Sequence, residues 1–177
     1  WGLAIALFWT ALCVVAALPL GAFGVAAVAV ALLFSWGYSA PPFRFKRNGW
    51  IGNAAVGFTY EGLAWVTGAG IMLGNRVPPM PLVVLAVLYS IGAHGIMTLN
   101  DFKAIEGDRR MGVASLPVQL GAHGAARMAC LFMLVPQVVV ALLLVWGLLP
   151  YAVAVLLLIY AQIPLMMRFM RDPVGRA

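Results

Sequence analysis

Charged residues are scarce in this chain, and their scarcity excludes a soluble globular domain. Asp, Glu, Lys and Arg together account for 9% of the 177 residues, whereas 64% of the residues are hydrophobic. A typical soluble domain carries about 25% charged residues. The composition therefore predicts an all-α polytopic membrane protein.

Other motifs that the sequence lacks exclude or disfavour several classes of function. The two cysteines, Cys13 and Cys130, lie in apolar runs without a partner spacing, so neither a disulfide nor a zinc site is indicated. The sequence has no glycine-rich phosphate loop, which disfavours nucleotide hydrolysis. It has no Ser, His and Asp arrangement that would support acyl transfer. The basic residues sit in short loops rather than on one face, so nucleic acid is not expected as a partner.

The chain begins within a hydrophobic run that has neither the basic start nor the small-residue cleavage site of a signal peptide. We expect both ends to be cuts through a longer protein, and residues 1–177 to form one transmembrane domain. A membrane-spanning helix needs about 20 mostly apolar residues. About six apolar segments can be drawn on this basis, and they are Gly2–Leu18, Ala22–Tyr38, Trp50–Leu73, Met80–Leu99, Gly124–Trp146 and Leu149–Met167.

The distribution of basic residues predicts the orientation of these segments. If every segment spans the bilayer, all basic residues except Arg76 lie on the same side. Basic residues concentrate on the cytoplasmic side of membrane proteins. We therefore expect the loop Arg44–Asn48 and the stretch Asn100–Arg110 to face the cytoplasm together.

The stretch Asn100–Arg110 contains three of the five acidic residues of the chain. Acidic residues near a bilayer are costly and mark functional sites. Asp101 and Asp108 are seven residues apart, a spacing that returns to nearly the same helix face with a drift of about 20°. Glu106 projects elsewhere unless Gly107 breaks the helix.

Two carboxylates with a third nearby suit Mg²⁺, which is often held by one or two carboxylates together with substrate phosphates. The basic residues of the same stretch are placed to hold those phosphates, and they are Lys103, Arg109 and Arg110. With the basic loop on the same side, this set predicts a clamp for an isoprenoid diphosphate beside an apolar bundle. The alternative is a solvated loop whose charges pair with each other.

Several strings resemble a known family. Asn100–Arg109, followed by Ser115–Val118, resembles the second aspartate-rich motif of the intramembrane UbiA-type prenyltransferases. Tyr38–Lys46, Asn48–Trp50 and Tyr60–Trp65 resemble the (bacterio)chlorophyll synthase branch more narrowly. The resemblance implies a helical bundle that opens to the cytoplasm and to lipid, in the inner or intracytoplasmic membrane of a bacterium.

The resemblance also implies an activity. It is the Mg²⁺-dependent transfer of a geranylgeranyl or phytyl chain from its diphosphate to the propionate carboxylate of a chlorophyllide or bacteriochlorophyllide. Asp101 and Asp108 would hold Mg²⁺, with Glu106 as a third participant in catalysis. By the same resemblance, Lys46 together with Arg44 or Arg47 would contact the diphosphate. Tyr38, earlier in the same string, would also be a substrate contact.

The sequence departs from the family in one large respect. The family's first aspartate-rich motif has no counterpart in this chain. The six segments would then correspond to family helices three to eight, and we expect the chain to be inactive alone.

Three polar residues inside or near the apolar segments have two interpretations each. Glu61 either binds the polar periphery of the macrocycle or hydrogen-bonds between helices. His94, on the same helical stripe as Asp101, either ligates the central Mg of a chlorin or packs between helices. Asn53 is a substrate contact or, more commonly for an amide at this position, a supporting hydrogen-bond partner.

Two rival functions stay open. A transporter or channel fragment would use Glu61 and His94 in an ion path, but it would not explain acidic and basic loops gathered on one side. A relative that prenylates haem or an aromatic acid would share the aspartate-rich motif. The strings Asn48–Trp50 and Tyr60–Trp65 argue against haem or an aromatic acid as the acceptor.

Overall fold

The computed structural model of the protein describes residues 1–176, and over that range it is built from helices. These are α1 (Gly2–Ala17), α2 (Gly21–Ser39), α3 (Gly49–Gly57), α4 (Ala64–Met72), α5 (Met80–Asp101), α6 (Ile105–Met111), α7 (Leu116–Val145) and α8 (Leu149–Arg171). Four stretches are long and apolar enough to cross a membrane: Gly2–Ser39, Met80–Met111, Leu116–Val145 and Leu149–Arg171. The all-α membrane architecture predicted from the composition is confirmed.

The first of these stretches is a hairpin of two helices. Pro19 lies in a 3₁₀ turn, and Gly21 follows it with a φ of 79°, a conformation that glycine adopts without steric cost. Trp36 Nε1 on α2 donates a hydrogen bond of 3.0 Å to Thr10 Oγ1 on α1. In a straight helix these two residues would lie about 39 Å apart. The chain therefore folds back, and α1 and α2 match the first two predicted segments.

The third predicted segment is one helical run from Gly49 to Met72. Its centre, Phe58–Leu63, is a wider π-helical turn that joins α3 to α4. Helix α7 begins at Leu116 and is bent at Gly121, which has a φ of 71°. The part of α7 beyond this bend matches the fifth predicted segment, which begins near Gly124.

Asp101 and Asp108 lie on two successive helices rather than on one continuous helix. Helix α5 ends at Asp101, a 3₁₀ turn spans Phe102–Ala104, and α6 begins at the next residue. The break therefore precedes Gly107, which stays helical. Its physical cause is Phe102, whose ring is buried in a small core with Leu116, Ala125 and Ala126 at the start of α7.

Helix α5 packs against α3 and most extensively against α7, and α7 packs against α8. Gly49 N donates to Ala114 O (2.7 Å), and Ala114 N donates to Arg47 O (2.9 Å). These bonds join the basic loop to the residues that follow α6. The basic loop and the acidic stretch thus lie at the same end of the bundle, as the topology predicts.

Candidate active site

The Asp101 carboxylate is held by hydrogen bonds that cross from α3 to α5. Asn53 Nδ2 donates to Asp101 Oδ2 at 3.0 Å and lies 3.3 Å from Thr98 Oγ1. Thr98 Oγ1 in turn donates to His94 O at 2.9 Å. Asn53 is only 5% exposed and Thr98 is fully buried. Asn53 therefore acts as a supporting partner that orients Asp101, the second of the two roles predicted for it.

The start of α3 explains why Asn53 lies opposite Asp101. Asn48 caps this helix, because its Oδ1 accepts hydrogen bonds from Trp50 N (3.0 Å) and Ile51 N (3.3 Å). Gly49 packs directly against the start of α7, where a Cβ on Gly49 would lie 2.5 Å from Leu116 N. The cap and the close approach together fix the first turn of α3 beside the acidic stretch.

Asp108 lies near Asp101 despite the break between their helices. Helix α6 turns Asp108 inward, where it is 9% exposed and close enough to Asp101 for the two carboxylates to interact electrostatically. The Asp101 carboxylate also faces the backbone amide of Leu116, in the first turn of α7. Asp101 therefore meets donors from both α3 and the start of α7.

The two aspartates fit Mg²⁺ by their donor chemistry. Carboxylate oxygens are the hard ligands that Mg²⁺ prefers, and one or two of them suffice when substrate phosphates complete its shell. Asp101 Oδ2 accepts from Asn53 and the carboxylate also faces the Leu116 amide, so a metal would use its remaining lone pairs. Within residues 1–176, no group of three His, Cys, Asp or Glu side chains comes together as a metal site. Asp101 and Asp108 are the two carboxylates that could hold an ion together with substrate phosphates.

Glu106 is not brought to the two aspartates. Its Oε1 lies 3.1 Å from Arg110 Nη2 in an exposed ion pair one helical turn apart on α6. Lys103 and Arg109 line a separate cleft of about 400 Å³ that also includes Val174. Glu106 lines the same cleft, and the predicted contact of these residues with a diphosphate stays a prediction.

The basic loop presents three cations without partners in the described chain. The side chains of Arg44, Lys46 and Arg47 are exposed, and none of them forms an ion pair within residues 1–176. Between them, Phe45 packs against the Phe34 ring at a centroid distance of 6.0 Å. The loop is therefore anchored through Phe45 while its charged side chains stay free to bind an anion.

A cavity of about 590 Å³ lies between α2, α3, the π-helical turn and α5. Its volume falls within the range of about 300–1,000 Å³ that small-molecule sites occupy. Polar side chains contribute to its mostly apolar wall, including Ser35, Tyr38, Thr59, Tyr60 and Glu61. Met97 lines the cavity one helical turn before Asp101, so the cavity extends alongside the carboxylate site.

His94 shares the helical stripe of Asp101, as predicted, because both residues contact α3. Its Nε2 lies 3.2 Å from the carbonyl oxygen of Trp50, and its ring centroid lies 4.4 Å from that of Phe132. The residue is 6% exposed and borders a second, almost wholly apolar cavity of about 560 Å³. These contacts favour the packing role over the role of a ligand.

Three residues of the site were missed by the sequence analysis as functional positions. Thr98 continues the stripe of His94 and Asp101, and that spacing is a signal that could have identified it. Asn48 and Gly49 follow the sequence pattern of a helix cap, which predicts where α3 begins. The packing of Gly49 against Leu116 has no local signal, because it joins residues far apart in the chain.

The family of the chain can be read from a comparison with known proteins. Residues 1–176 match the UbiA prenyltransferase family. The chain belongs to this family. It is also similar to the bacteriochlorophyll synthase 33 kDa chain of Cereibacter sphaeroides, at 46% identity over 177 residues that cover 99% of this chain and 58% of the relative.

Two further relatives come from other organisms. The bacteriochlorophyll synthase 34 kDa chain of Chloroflexus aurantiacus is 47% identical over 82% of this chain and 46% of its own length. The chloroplastic chlorophyll synthase of Avena sativa is 46% identical over 80% of this chain and 37% of its own. No solved structure matches the chain. The chain is an integral membrane domain, and it spans a little more than half the length of the Cereibacter sphaeroides relative.

Proposed function

We propose that the full-length protein containing this chain transfers a C20 prenyl chain, geranylgeranyl or phytyl, to the propionate carboxylate of chlorophyllide or bacteriochlorophyllide. The bond between prenyl C1 and the diphosphate oxygen breaks, and the diphosphate leaves with the electron pair. A propionate oxygen forms the new bond to C1. The observation that carries this proposal is the Asp101 carboxylate, oriented by Asn53 beside a cavity of about 590 Å³.

The diphosphate is bound by groups from two elements. Asp101 and Asp108 would hold Mg²⁺, which when bound neutralises charge on the departing diphosphate. Lys46, together with Arg44 or Arg47, would donate charge-assisted hydrogen bonds to the phosphate oxygens from the basic loop. The shared end of the bundle supports this assignment, and we propose that this end faces the cytoplasm.

The acceptor requires little acid–base chemistry. A propionic acid has an ordinary pKa of about 4, so its carboxylate is ionised at neutral pH and needs no general base. The cavity beside Asp101 would then act mainly by positioning the carboxylate against prenyl C1 and by excluding water. Tyr38 lines the cavity near Asp101 and is placed to contact either substrate there.

The proposal is tested with the purified full-length protein in lipid vesicles. Geranylgeranyl diphosphate, bacteriochlorophyllide and Mg²⁺ should yield the esterified pigment and free diphosphate, and a chelator should stop the reaction. Parallel reactions with haem and with an aromatic acid serve as acceptor controls. Prenylation of either control acceptor, with no esterified tetrapyrrole, would contradict the proposal.

A further inference from the structure

The carboxylate of Glu61 lies in the cavity without a partner in the described chain. Glu61 stands near the middle of the helical run Gly49–Met72, where an acidic group is costly unless another group compensates its charge. It is half-buried, lines the cavity of about 590 Å³, and forms no ion pair or hydrogen bond with residues 1–176. The cavity therefore holds a carboxylate that is available to a ligand.

The π-helical turn sets this orientation. Thr59, Tyr60 and Glu61 are consecutive and all line the same cavity, while Phe58 and Gly62 line the second, apolar cavity behind them. Single π-helical turns within α-helices occur frequently at functional sites. The wall between the two cavities thus presents its polar side chains to one cavity only.

The chemistry of the macrocycle decides what Glu61 can bind, and this step rests on the proposed function. The peripheral oxygens of a bacteriochlorophyllide are carbonyl, ester and carboxylate oxygens, which accept hydrogen bonds and would repel a carboxylate. Its electron-deficient centre is the Mg²⁺ ion within the ring, a hard cation that takes an oxygen as an axial ligand. We infer that Glu61 binds the macrocycle through its central Mg²⁺, with a carboxylate oxygen as the axial ligand.

The alternative ligand in this part of the chain is His94, and its ring nitrogens are enclosed. Its Nε2 faces the carbonyl oxygen of Trp50, and its Nδ1 is buried and has no hydrogen-bond partner within residues 1–176. Glu61 is open to the cavity that extends toward Asp101, whereas His94 borders the other cavity. The ligand of the central metal is therefore the Glu61 carboxylate rather than the His94 imidazole.

The position of Glu61 also suits the reaction. Asn53, which orients Asp101, precedes Glu61 by eight residues, a rise of about 12 Å along a helix. A macrocycle held by its central metal at Glu61 can extend its propionate arm along the cavity toward the diphosphate at Asp101. Glu61 would then select metal-containing macrocycles and set the reach of the acceptor carboxylate.

The test compares binding of bacteriochlorophyllide and of its metal-free counterpart to the full-length protein in detergent. The wild type should bind the Mg²⁺ macrocycle at least about tenfold more tightly, and its visible absorption bands should shift as the axial ligand is added. Glu61→Leu, which leaves no oxygen at this position, should lose most of this preference. Tyr60→Phe removes a polar group from the same cavity without removing charge, and it should keep the preference.

Equal binding of the two macrocycles by the wild type would overturn the inference, and this measurement needs no variant. Retention of the preference by Glu61→Leu would overturn it as well. Esterification is measured on the same preparations. If the wild type esterifies both macrocycles without a metal preference, the inference fails and the proposed function stands. If it neither binds nor esterifies them, the proposed function fails too.

Discussion

Asn53 Nδ2 lies 3.0 Å from Asp101 Oδ2, and this hydrogen bond joins the wall of the cavity to the acidic stretch. The donor is buried and the acceptor is a carboxylate, so the bond is charge-assisted and directional. The carboxylate keeps further lone pairs for a metal or a substrate. Asn53 is thus a positioning residue whose effect on the reaction passes through Asp101.

Replacing Asn53 should therefore impair the reaction without removing a ligand. A hydrogen bond to a charged group contributes about 1.5–3 kcal/mol, so Asn53→Ala in the full-length enzyme should lower kcat/KM for pigment esterification by about 10- to 100-fold. Asn53→Asp places a second negative charge against Asp101 and should lower it further. Asn100→Ala, at an exposed amide beside Asp101, is the control. Equal rates for Asn53→Ala and the control would remove Asn53 from the site.

The two aspartates should be far more sensitive than Glu106. Asp101→Asn and Asp108→Asn keep size but remove an anionic ligand, so the esterification rate should fall at least about 100-fold, partly restored by high Mg²⁺. Glu106→Gln disrupts an exposed ion pair worth about 0–1 kcal/mol and should change the rate little. Asp172→Asn, near the end of α8, is the control. Near-wild-type rates for both aspartate variants would contradict the assignment of the site.

Substitutions in the basic loop should change the kinetic constants for the diphosphate substrate. Lys46→Ala should raise the KM for the prenyl diphosphate and also lower kcat, because the leaving group gains charge in the transition state. Arg76→Ala removes a cation from the opposite end of the bundle and should change neither constant. Unchanged diphosphate kinetics in Lys46→Ala would exclude Lys46 from the site.

The orientation of the bundle follows from labelling with a membrane-impermeant thiol reagent. Cysteines introduced at positions 47 and 105 should react only from the cytoplasmic face, and one at position 77 only from the opposite face. Cys13 and Cys130 are first replaced by Ala, since Cys13 is exposed. Reaction of positions 47 and 105 from opposite faces would contradict the arrangement of six segments.

Much of the fold could be predicted because the lipid imposes one strong requirement on the sequence. Each predicted segment is a long apolar run. Several segments end or begin at a glycine or proline, as the first two do at Pro19 and Gly21. The break after Asp101 could not be predicted, because nothing in the local sequence forbids a continuous helix there. It results from the burial of Phe102 against α7, which joins residues from separate helices.

The sequence predicted which residues belong to the candidate site better than it predicted which of them contact each other. Asp101 and Asp108 were identified from charge alone, and the structure places them near each other by a route other than one helix. The pairing of Glu106 with Arg110 follows a local spacing rule that the sequence already contained. The bond from Asn53 to Asp101 depends on how α3 is aligned against α5, which no local pattern specifies.

The close approach of Gly49 to α7 should make this glycine necessary for both stability and activity. An added Cβ would lie 2.5 Å from Leu116 N and 3.0 Å from Ser115 Cα. Both are backbone atoms, which cannot relieve the contact by a change of rotamer. Gly49→Ala must therefore shift α3 away from α7, at a cost of about 1–3 kcal/mol for overpacking. The same shift would move Asn53 from Asp101.

Gly68, within α4, is the matched control because an added Cβ there meets no atom within 4 Å. Gly68→Ala should leave the apparent Tm of the full-length protein in detergent unchanged or slightly higher, since alanine favours a helix by about 0.5–1 kcal/mol over glycine. Gly49→Ala should lower the Tm, and its esterification rate at a temperature where the protein stays folded should fall as it does for Asn53→Ala. If Gly49→Ala matches Gly68→Ala in both measurements, the packing of α3 on α7 does not hold Asn53 and Asp101 in place.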